Sequence, residues 1–344
     1  MSVLDDLKMI HERDAQDALG IAEKQASYLK HEFGVELKLG KPIKNVVLAG
    51  MGGSALPGAF MTSWPGLSVP FEISRNYNLP SYVGPETLVI SSSYSGNTEE
   101  SLAALEEAKA SGASIIVIAA GGQLMEKAKA GDYPFYEIPG GIQPRMSTFY
   151  FLKAFVDIFE SLGLAAAGSA QELNQASGWL SSQLANWLPD VPTDKNPAKQ
   201  IALELLGKSV VMYSGPKLFP AANKWKICFN ENAKNIAWSN YFPELNHNEF
   251  LGWTSHPVDK PYAVVELRSS LEHPRTQKRF EVTERLLSGK RPSPEVVEVQ
   301  GETLLQQLLW AANMGDFVSL YLALLNGLNP TPVDLIEKFK RELG

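Results

Sequence analysis

The chain has 344 residues, with 44% hydrophobic and 20% charged side chains, a net charge of −7 and an isoelectric point near 5.4. This length predicts two domains with sizeable cores. The acidic balance gives no general attraction for nucleic acid or for an anionic membrane, so any anion site must be built locally. The single cysteine, Cys228, excludes an intrachain disulfide and a thiolate metal cluster, and we expect it to be buried.

The amino terminus is acidic and polar, whereas a signal peptide begins with basic residues followed by apolar ones. No run of about 18 apolar residues indicates a transmembrane helix. We therefore expect a cytoplasmic protein that binds neither nucleic acid nor membrane. Apolar residues at helical spacing predict an amphipathic helix over residues 3–32, packed across the first domain, within an N-terminal helical extension of residues 1–40.

Residues 41–165 alternate apolar strand segments with helical segments. The strands NVVLAG, TLVISSS and SIIVIAA are almost continuously apolar, and the helical segment TEESLAALEEAKASG separates the last two. This rhythm predicts an α/β domain whose mainly parallel sheet is covered by helices on both faces. A helix from about Ser147 closes the domain.

The second half of the chain begins the same rhythm again. Residues 166–195 are partly helical and then polar and proline-bearing, which predicts a linker or helical connection. Residues 196–344 predict a second α/β domain, and its first strand, in GKSVVMYSGP, delivers a glycine turn on the same plan as NVVLAGMGGS. Two apolar helical stretches and one amphipathic helix end the chain.

A hydroxyl-rich turn follows the strand at residues 87–93 and leads directly into a helix. Ser93, Ser95 and Thr98 supply neutral hydroxyl donors beside the unpaired N–H groups of that helix. Such a turn favours a phosphate. Because the turn lacks the lysine of a Walker loop and a G-x-G-x-x-G fingerprint, we expect a phosphorylated small molecule rather than a nucleotide.

A second glycine-bearing turn, GMGGSALPG at residues 50–58, also follows a strand. Gly52 and Gly53 let the backbone approach a ligand closely, and we expect Ser54 to cap the next helix. Tight turns often need glycine for steric reasons alone, so this turn by itself is a weak signal. In a doubly wound sheet, however, the two turns converge on one crevice.

Three ionisable residues outside these turns are candidates for chemistry. Arg145 follows a proline at the start of a helix, where it can stabilise an oxyanion, and Glu231 and His247 suit two acid–base groups that act on different atoms. Each also has a simpler interpretation as a surface arginine, a solvated helical charge or a loop histidine. The five histidines lack zinc-binding spacing and G-x-S-x-G is absent, so we expect no metal and no serine-hydrolase chemistry.

Together these motifs resemble the bifunctional phosphoglucose/phosphomannose isomerases, a family of double SIS-domain sugar isomerases. The resemblance covers nearly the whole chain in order. It rests on GMGGS at 50–54, SYSGNT at 93–98, QPR at 143–145, ENAK at 231–234, PELNHNE at 243–249 and the closing NPTPVDLIEKFKREL. It implies two SIS domains, each a three-layer αβα sandwich of the flavodoxin-like kind.

The resemblance also implies a function and a set of roles. The enzyme would interconvert glucose 6-phosphate or mannose 6-phosphate with fructose 6-phosphate through an enediolate, without a cofactor. Glu231 would be the base, Arg145 would stabilise the enediolate, and His247 would open the sugar ring. The residues implied to bind the phosphate are Gly52, Gly53, Ser54, Ser93, Ser95 and Thr98.

The family also implies a homodimer with shared active sites, in which the histidine reaches the site of the neighbouring subunit. Lys340 matches a C-terminal lysine that assists ring opening, with Lys338 as the alternative. A family threonine linked to dual specificity corresponds to Thr331 or, by gapless alignment, to Val333. A non-catalytic phosphosugar-binding protein and an isomerase of another phosphosugar are the alternative functions.

Overall fold

The computed structural model describes residues 3–254 and 261–343. The chain forms two compact units. The first unit comprises Lys24–Trp179, and the second comprises Met1–Glu23 together with Leu180–Gly344. The domain boundaries expected at residues 41–165, 166–195 and 196–344 stay predictions.

The elements of the described residues alternate between helix and strand in each half of the chain. The helices are α1 (Leu7–Arg13), α2 (Ala18–Tyr28), α3 (Gly52–Ser63), α4 (Glu99–Ala110), α5 (Gly122–Ala130), α6 (Thr148–Ser161), α7 (Ser169–Leu184), α8 (Pro197–Leu205), α9 (Phe219–Glu231), α10 (Glu249–Gly252), α11 (Pro274–Leu287), α12 (Leu304–Leu325) and α13 (Asp334–Leu343). The strands are β1 (Asn45–Gly50), β2 (Phe71–Ser74), β3 (Thr87–Ser93), β4 (Ser114–Ala119), β5 (Phe135–Glu137), β6 (Ser209–Ser214), β7 (Ala237–Tyr241), β8 (Tyr262–Arg268) and β9 (Glu295–Glu298).

The first unit is built on a fully parallel sheet of order β2-β1-β3-β4-β5. One face of the sheet, including Val47 and Val89, packs against α4 and α5. On the other face, α3 lies so close that a Cβ on Gly58 would be 2.2 Å from a methyl carbon of Leu48. Helices on both faces bury the apolar strands completely, which is why these strands read as continuous apolar runs.

The second unit repeats the plan with a parallel sheet of order β7-β6-β8-β9. β6 therefore has the same place in its sheet as β1 has in the first unit. Val211 and Val264 face a core that includes Phe280 of α11. The expected α/β fold with two mainly parallel, helix-covered sheets is confirmed.

The predicted helix over residues 3–32 is wrong in detail. It divides into α1 and α2 because the carboxylate of Asp14 accepts the N–H groups of Ala18 and Leu19, both at 2.9 Å, and so starts a new helix. The expected packing across the first domain is also wrong for the first 23 residues, which belong to the second unit. Their contacts there include an ion pair of 3.4 Å between Asp5 and Lys199.

The two apolar stretches predicted near the carboxyl terminus form a single helix, α12. A capping box starts the helix, with Thr303 and Gln306 exchanging hydrogen bonds. Contrary to the sequence-based expectation, α12 is long and apolar enough, by length and composition, to cross a membrane. However, 94% of its apolar 18-residue stretch is buried inside the structure. It is the central core helix of the second unit, packed against α8 and α9.

A fully buried ion pair joins α9 to α12. The Lys224 ammonium contacts the Asp316 carboxylate, and neither side chain is exposed. Burial opposes the charge on Lys224, but the Asp316 carboxylate and the Cys228 sulfur together outweigh this effect, so the pKa of Lys224 lies above its ordinary value. Cys228 is buried as expected, and its thiol donates to Asp316 at 3.2 Å.

This ion pair generates a stability prediction. Lys224→Met leaves the Asp316 charge buried without its counter-ion, so we expect a loss of about 3–5 kcal/mol in the free energy of unfolding. Urea unfolding followed by tryptophan fluorescence measures it. As a control, Lys226→Met on the partly exposed side of the same helix should change the value by less than about 0.5 kcal/mol.

The double variant Lys224→Met/Asp316→Leu should recover part of the lost free energy of unfolding, because neither buried charge of the pair remains. A Lys224→Met protein as stable as the Lys226→Met control would contradict the account.

Candidate active site

Two loops of the first unit meet where the direction of strand order reverses. β1 and β3 are neighbours, and the loops at their carboxyl ends lead into α3 and α4. Ligands of open α/β sheets bind at such a switch point. The loops are bonded to each other, because the Tyr94 N–H donates to Ser54 Oγ at 2.8 Å and Ser92 Oγ donates to the Ser54 carbonyl at 3.0 Å. The predicted convergence of the two turns is confirmed.

The turn after β3 gathers three hydroxyl groups at the start of α4. Ser93 Oγ lies 2.7 Å from Thr98 Oγ1 and 3.4 Å from Ser95 Oγ. Ser93 also accepts the Gly96 N–H at 3.1 Å. Thr98 is the N-cap residue of α4, yet its side chain makes no capping hydrogen bond. Its hydroxyl is therefore directed to the turn and not to the helix backbone.

Gly96 fixes the shape of this turn. Its φ of +68° lies in the left-handed region, and a Cβ there would be 1.8 Å from the carbonyl oxygen of Gly121. The Gly96 carbonyl in turn accepts the Leu124 N–H at 2.9 Å. The turn is thus held against the start of α5, and no side chain larger than hydrogen fits at position 96.

The turn after β1 differs from the sequence-based expectation in one respect. Ser54 does not cap α3, because the helix begins at Gly52 with Met51 as its N-cap residue, so Ser54 lies in the first turn. Gly52 has a φ of +48°, and a Cβ there would meet no atom within 4 Å. The backbone of this position is therefore open to a ligand.

Arg145 reaches the same region through a close backbone contact. A Cβ on Gly53 would be 2.9 Å from the Pro144 carbonyl and 3.0 Å from the Arg145 nitrogen, so only glycine lets the two segments meet. Arg145 is buried, and its Nη1 donates to Gln143 Oε1 at 3.2 Å. The Thr148 hydroxyl donates to the Arg145 carbonyl at 3.0 Å.

Tyr94, for which the sequence suggested no role, connects all three loops. Besides its N–H bond to Ser54, its hydroxyl donates to the Pro139 carbonyl at 3.2 Å and accepts the Ile142 N–H at 3.1 Å. Burial raises the pKa of Tyr94, so this hydroxyl stays neutral. Its position inside the SYSGNT motif was the one indication of a role for Tyr94. A pattern of hydroxyl-bearing residues does not, however, predict which long side chain reaches another loop.

The hydrogen-bond donors of these loops suit an oxyanion. The oxygens of Ser54, Ser93 and Ser95 each accept a backbone N–H from inside the protein. Their hydroxyl hydrogens can therefore be donated to a ligand. If Ser93 donates its hydrogen to Thr98, the hydroxyl hydrogen of Thr98 is available to the ligand in its place. The start of α4 adds the positive end of the helix dipole. Such donors bind a phosphate through directed hydrogen bonds.

In the second unit, Glu231 is the last residue of α9 and is followed by a tightly held turn. Asn232, the C-cap residue, donates to Ser319 Oγ of α12 at 2.9 Å. Lys234 has a φ of +51°, and its ammonium donates to the carbonyls of Asn329 and Pro330 at 3.0 and 2.9 Å. Lys234 thereby ties the turn after Glu231 to the segment that precedes α13.

His247 ends a short 3-10 helix at Glu244–His247 and is exposed. The segment is anchored by Glu249, whose carboxylate accepts the Tyr213 hydroxyl of β6 and, at 2.6 Å, the amide of Asn240 in β7. Burial raises the pKa of Tyr213, and the Glu249 carboxylate raises it further, so Tyr213 remains a neutral donor. Glu249 ends the PELNHNE motif at 243–249, but that motif did not predict this anchoring.

Lys340 lies on α13 and pairs with Glu337 at 2.9 Å, while Lys338 pairs with Glu342 at 3.6 Å. Both lysines are exposed, so these contacts do not separate the two candidates. His256 lies outside the described residues. Within residues 3–254 and 261–343, no group of three or more His, Cys, Asp or Glu side chains could hold a metal ion.

The structure therefore brings together Ser54, Ser93, Ser95 and Thr98 in the first unit, with the Arg145 backbone against Gly53. Glu231, His247 and Lys340 lie on three different elements of the second unit.

Comparison with known proteins supports both the fold and the family. Residues 41–136 match the SIS domain, and residues 194–343 match the bacterial phospho-glucose isomerase C-terminal SIS domain. A glucose-6-phosphate isomerase like protein from Thermus thermophilus has a similar structure, with a TM-score of 0.66 and 18% identity over 98% of this chain and 100% of that chain. At 18% sequence identity, this structural similarity shows that the two proteins share a fold.

Two curated relatives are closer in sequence. The D-glucosamine-6-phosphate 4-epimerase of Sulfolobus acidocaldarius is 33% identical over 65% of this chain and 69% of its own length. The bifunctional phosphoglucose/phosphomannose isomerase of Caldicellulosiruptor bescii is 37% identical over 88% of this chain and 90% of its own length. The chain belongs to the bifunctional phosphoglucose/phosphomannose isomerase family.

Proposed function

We propose that this protein is an aldose–ketose isomerase that interconverts glucose 6-phosphate and mannose 6-phosphate with fructose 6-phosphate. The observation that carries the proposal is the hydroxyl-lined turn of Ser93–Thr98 at the β1/β3 switch point. It offers a phosphate several hydrogen-bond donors in a chain whose relatives isomerise phosphosugars. The reaction takes place in the cytoplasm and requires neither nucleic acid nor a membrane surface.

The phosphate is the anchor of the substrate. The hydroxyls of Ser54, Ser93, Ser95 and Thr98 and the first N–H groups of α4 hold it, and Gly52 leaves room for its approach. An anchored phosphate restricts the sugar chain and converts proton abstraction into a step within one complex, which can lower the barrier by several kcal/mol. These groups take no part in bond making.

Glu231 transfers the proton. Its carboxylate takes the C2 hydrogen of the open-chain aldose, the C–H electron pair becomes the C1–C2 double bond, and the carbonyl electrons move to O1. The resulting enediolate is stabilised by the Arg145 guanidinium. When the Glu231 carboxyl returns the proton to C1, the O2 hydrogen moves to O1 and C2 becomes the ketone. Every atom is accounted for without a redox agent or a metal.

His247 opens the pyranose ring, assisted by Lys340 or Lys338, and acts across the interface of a homodimer. The exposure of His247 supports this arrangement, because an exposed imidazole is accessible to a neighbouring subunit. The anchoring of Glu249 by Tyr213 and Asn240 holds the segment that carries it. The active site is then shared between two chains.

One relative favours a second candidate function. The epimerase from Sulfolobus acidocaldarius has a name that specifies an amino sugar 6-phosphate and a reaction at C4. A phosphate anchor serves either chemistry. The competing proposal is therefore a reaction on an amino sugar phosphate, and it predicts activity on glucosamine 6-phosphate with no release of fructose 6-phosphate from either hexose phosphate.

The Glu231 assignment predicts a large loss of turnover. In coupled assays with glucose 6-phosphate and mannose 6-phosphate, the unaltered protein should produce fructose 6-phosphate from both. Glu231→Gln should lower kcat about 10²–10⁴-fold, since it removes a general base. Glu204→Gln, on the exposed side of α8, should keep the original turnover. Normal turnover by Glu231→Gln would exclude Glu231 as the base.

The phosphate site makes a second prediction. Thr98→Val keeps the shape of the side chain and sacrifices no helix cap, but it removes a hydroxyl donor and with it the hydrogen-bond partner of Ser93. We expect the inhibition constant of inorganic phosphate and the KM of the sugar phosphate to rise together, by about tenfold or more. Thr62→Val, whose exposed hydroxyl bonds the Ala59 carbonyl on α3, is the control. Unchanged constants would place the phosphate elsewhere.

The shared site predicts complementation between inactive chains. Glu231→Gln and His247→Ala homodimers should each be nearly inactive, whereas mixed dimers contain one site with both wild-type residues. Activity should therefore reappear on subunit exchange, up to about one quarter of the wild-type value per chain if exchange is random and two sites act independently. Absence of recovery in mixtures shown to contain heterodimers would mean that Glu231 and His247 act within one chain.

A further inference from the structure

The second unit contains a switch point of the same design as the first. β6 and β8 are neighbours at the centre of their sheet, as β1 and β3 are in theirs. The loop from β8 to α11 comprises residues 269–273, and the loop from β3 to α4 comprises residues 94–98, five residues in each case. The last residue of each loop is the N-cap of the next helix, Thr98 in one unit and His273 in the other.

The β6/β8 switch point is occupied by a side chain. The carboxylate of Glu272, which is only 5% exposed, accepts the N–H of Lys217 at 2.8 Å. The N–H groups of Leu218 and His273 also bond to it. Lys217 and Leu218 lie in the 3-10 turn that leads into α9, and His273 caps α11. The starts of two helices thus direct their unpaired N–H groups to one carboxylate.

The backbone closes around this carboxylate. A Cβ on Gly215, directly after β6, would be 2.3 Å from Glu272 Oε1 and 2.4 Å from its Cδ. Gly215 is therefore needed for the main chain to approach the anion so closely. In the first unit, a Cβ on Gly52, in the turn directly after β1, meets nothing within 4 Å. The space beside Gly52 is open, whereas the space beside Gly215 is filled by Glu272.

We propose that the β6/β8 switch point is a second oxyanion site, built like the candidate phosphate site of the first unit, whose ligand is the chain's own Glu272 carboxylate. The site is specific for a small oxyanion, either a carboxylate or a phosphate. Glu272 excludes such ligands from the second unit, so each chain binds a sugar phosphate at one switch point only.

The chemistry of Glu272 supports this assignment. Burial raises the pKa of its carboxyl, and the N–H groups of Lys217, Leu218 and His273, together with the Lys217 charge, oppose that rise. The Lys217 ammonium donates to the Leu271 carbonyl at 2.6 Å, so the lysine also fixes the loop that carries Glu272. Glu272 thus supplies internally the interactions that a bound anion supplies to an open site.

Chemical rescue tests the proposal. Glu272→Ala removes a fragment with the atoms of acetate and leaves the three N–H groups without an acceptor. We expect its Tm to fall by roughly 3–8 °C and to rise again with sodium acetate, relative to sodium chloride at the same ionic strength. The acetate-specific rise should be larger for Glu272→Ala than for wild-type protein, whose β6/β8 switch point is already filled. Inorganic phosphate should bind to Glu272→Ala with one more site per chain than to wild-type protein, by calorimetry.

Two further variants separate the possible outcomes. Glu281→Ala removes an exposed carboxylate from α11, the helix that follows Glu272, and should show neither effect. Glu272→Gln keeps the site filled but places an amide against the N–H donors, so its Tm should fall without acetate rescue. A Glu272→Ala protein that shows no acetate-specific stabilisation and no added phosphate site overturns the proposal, as does a Glu272→Gln protein as stable as wild type. These readouts do not depend on isomerase activity.

Discussion

Backbone N–H groups at the start of a helix have no partner within that helix, so each requires a hydrogen-bond acceptor from elsewhere. The structure depends on how this requirement for an acceptor is met at two switch points. In both units a parallel sheet ends in glycine-bearing turns that direct these donors to one place. Glu272 meets the requirement in the second unit. In the first unit the start of α4 lies beside serine and threonine hydroxyls, and we propose that a substrate phosphate accepts hydrogen bonds from both.

The catalytic proposal depends on a second set of contacts, which fix the end of α9. The buried Lys224–Asp316 pair sets the position of α9 on α12, and Asn232 adds a hydrogen bond to Ser319 one turn later along α12. Lys234 then joins the turn after Glu231 to the chain that leads into α13. These residues need not touch a substrate to matter, because a base is effective only when its carboxylate is held within hydrogen-bond reach of carbon-bound hydrogen.

The sequence predicted the architecture well because parallel sheets have a strong pattern. Continuous apolar strands alternating with helices identified both parallel sheets, and the similarity of the segments around Gly50 and Gly215 correctly indicated two copies of one plan. The convergence of Ser54 with the turn at Ser93–Thr98 also followed from strand order. The helix expected over residues 3–32 failed because local capping by Asp14 competes with helical periodicity.

The sequence could not predict contacts that depend on long side chains reaching between elements. Tyr94 spans to the loop at residues 139–142, and Glu249 is bonded to two strands that precede it in the chain. Glu272 looks like an ordinary helix-flanking acid, and only the approach of Gly215 reveals it as an internal ligand. Such contacts have no periodic signature, because they depend on the three-dimensional separation of loop ends.

We propose that an anchored phosphosugar loses and regains a carbon-bound proton at Glu231. Incubation with glucose 6-phosphate in deuterium oxide, followed by NMR of the sugar, tests it most directly. The account predicts deuterium at C1 of the fructose 6-phosphate formed and at C2 of the recovered aldose, with neither label appearing when Glu231→Gln replaces the wild-type protein. Phosphosugar binding without conversion or exchange, or the same labelling by Glu231→Gln, would contradict it.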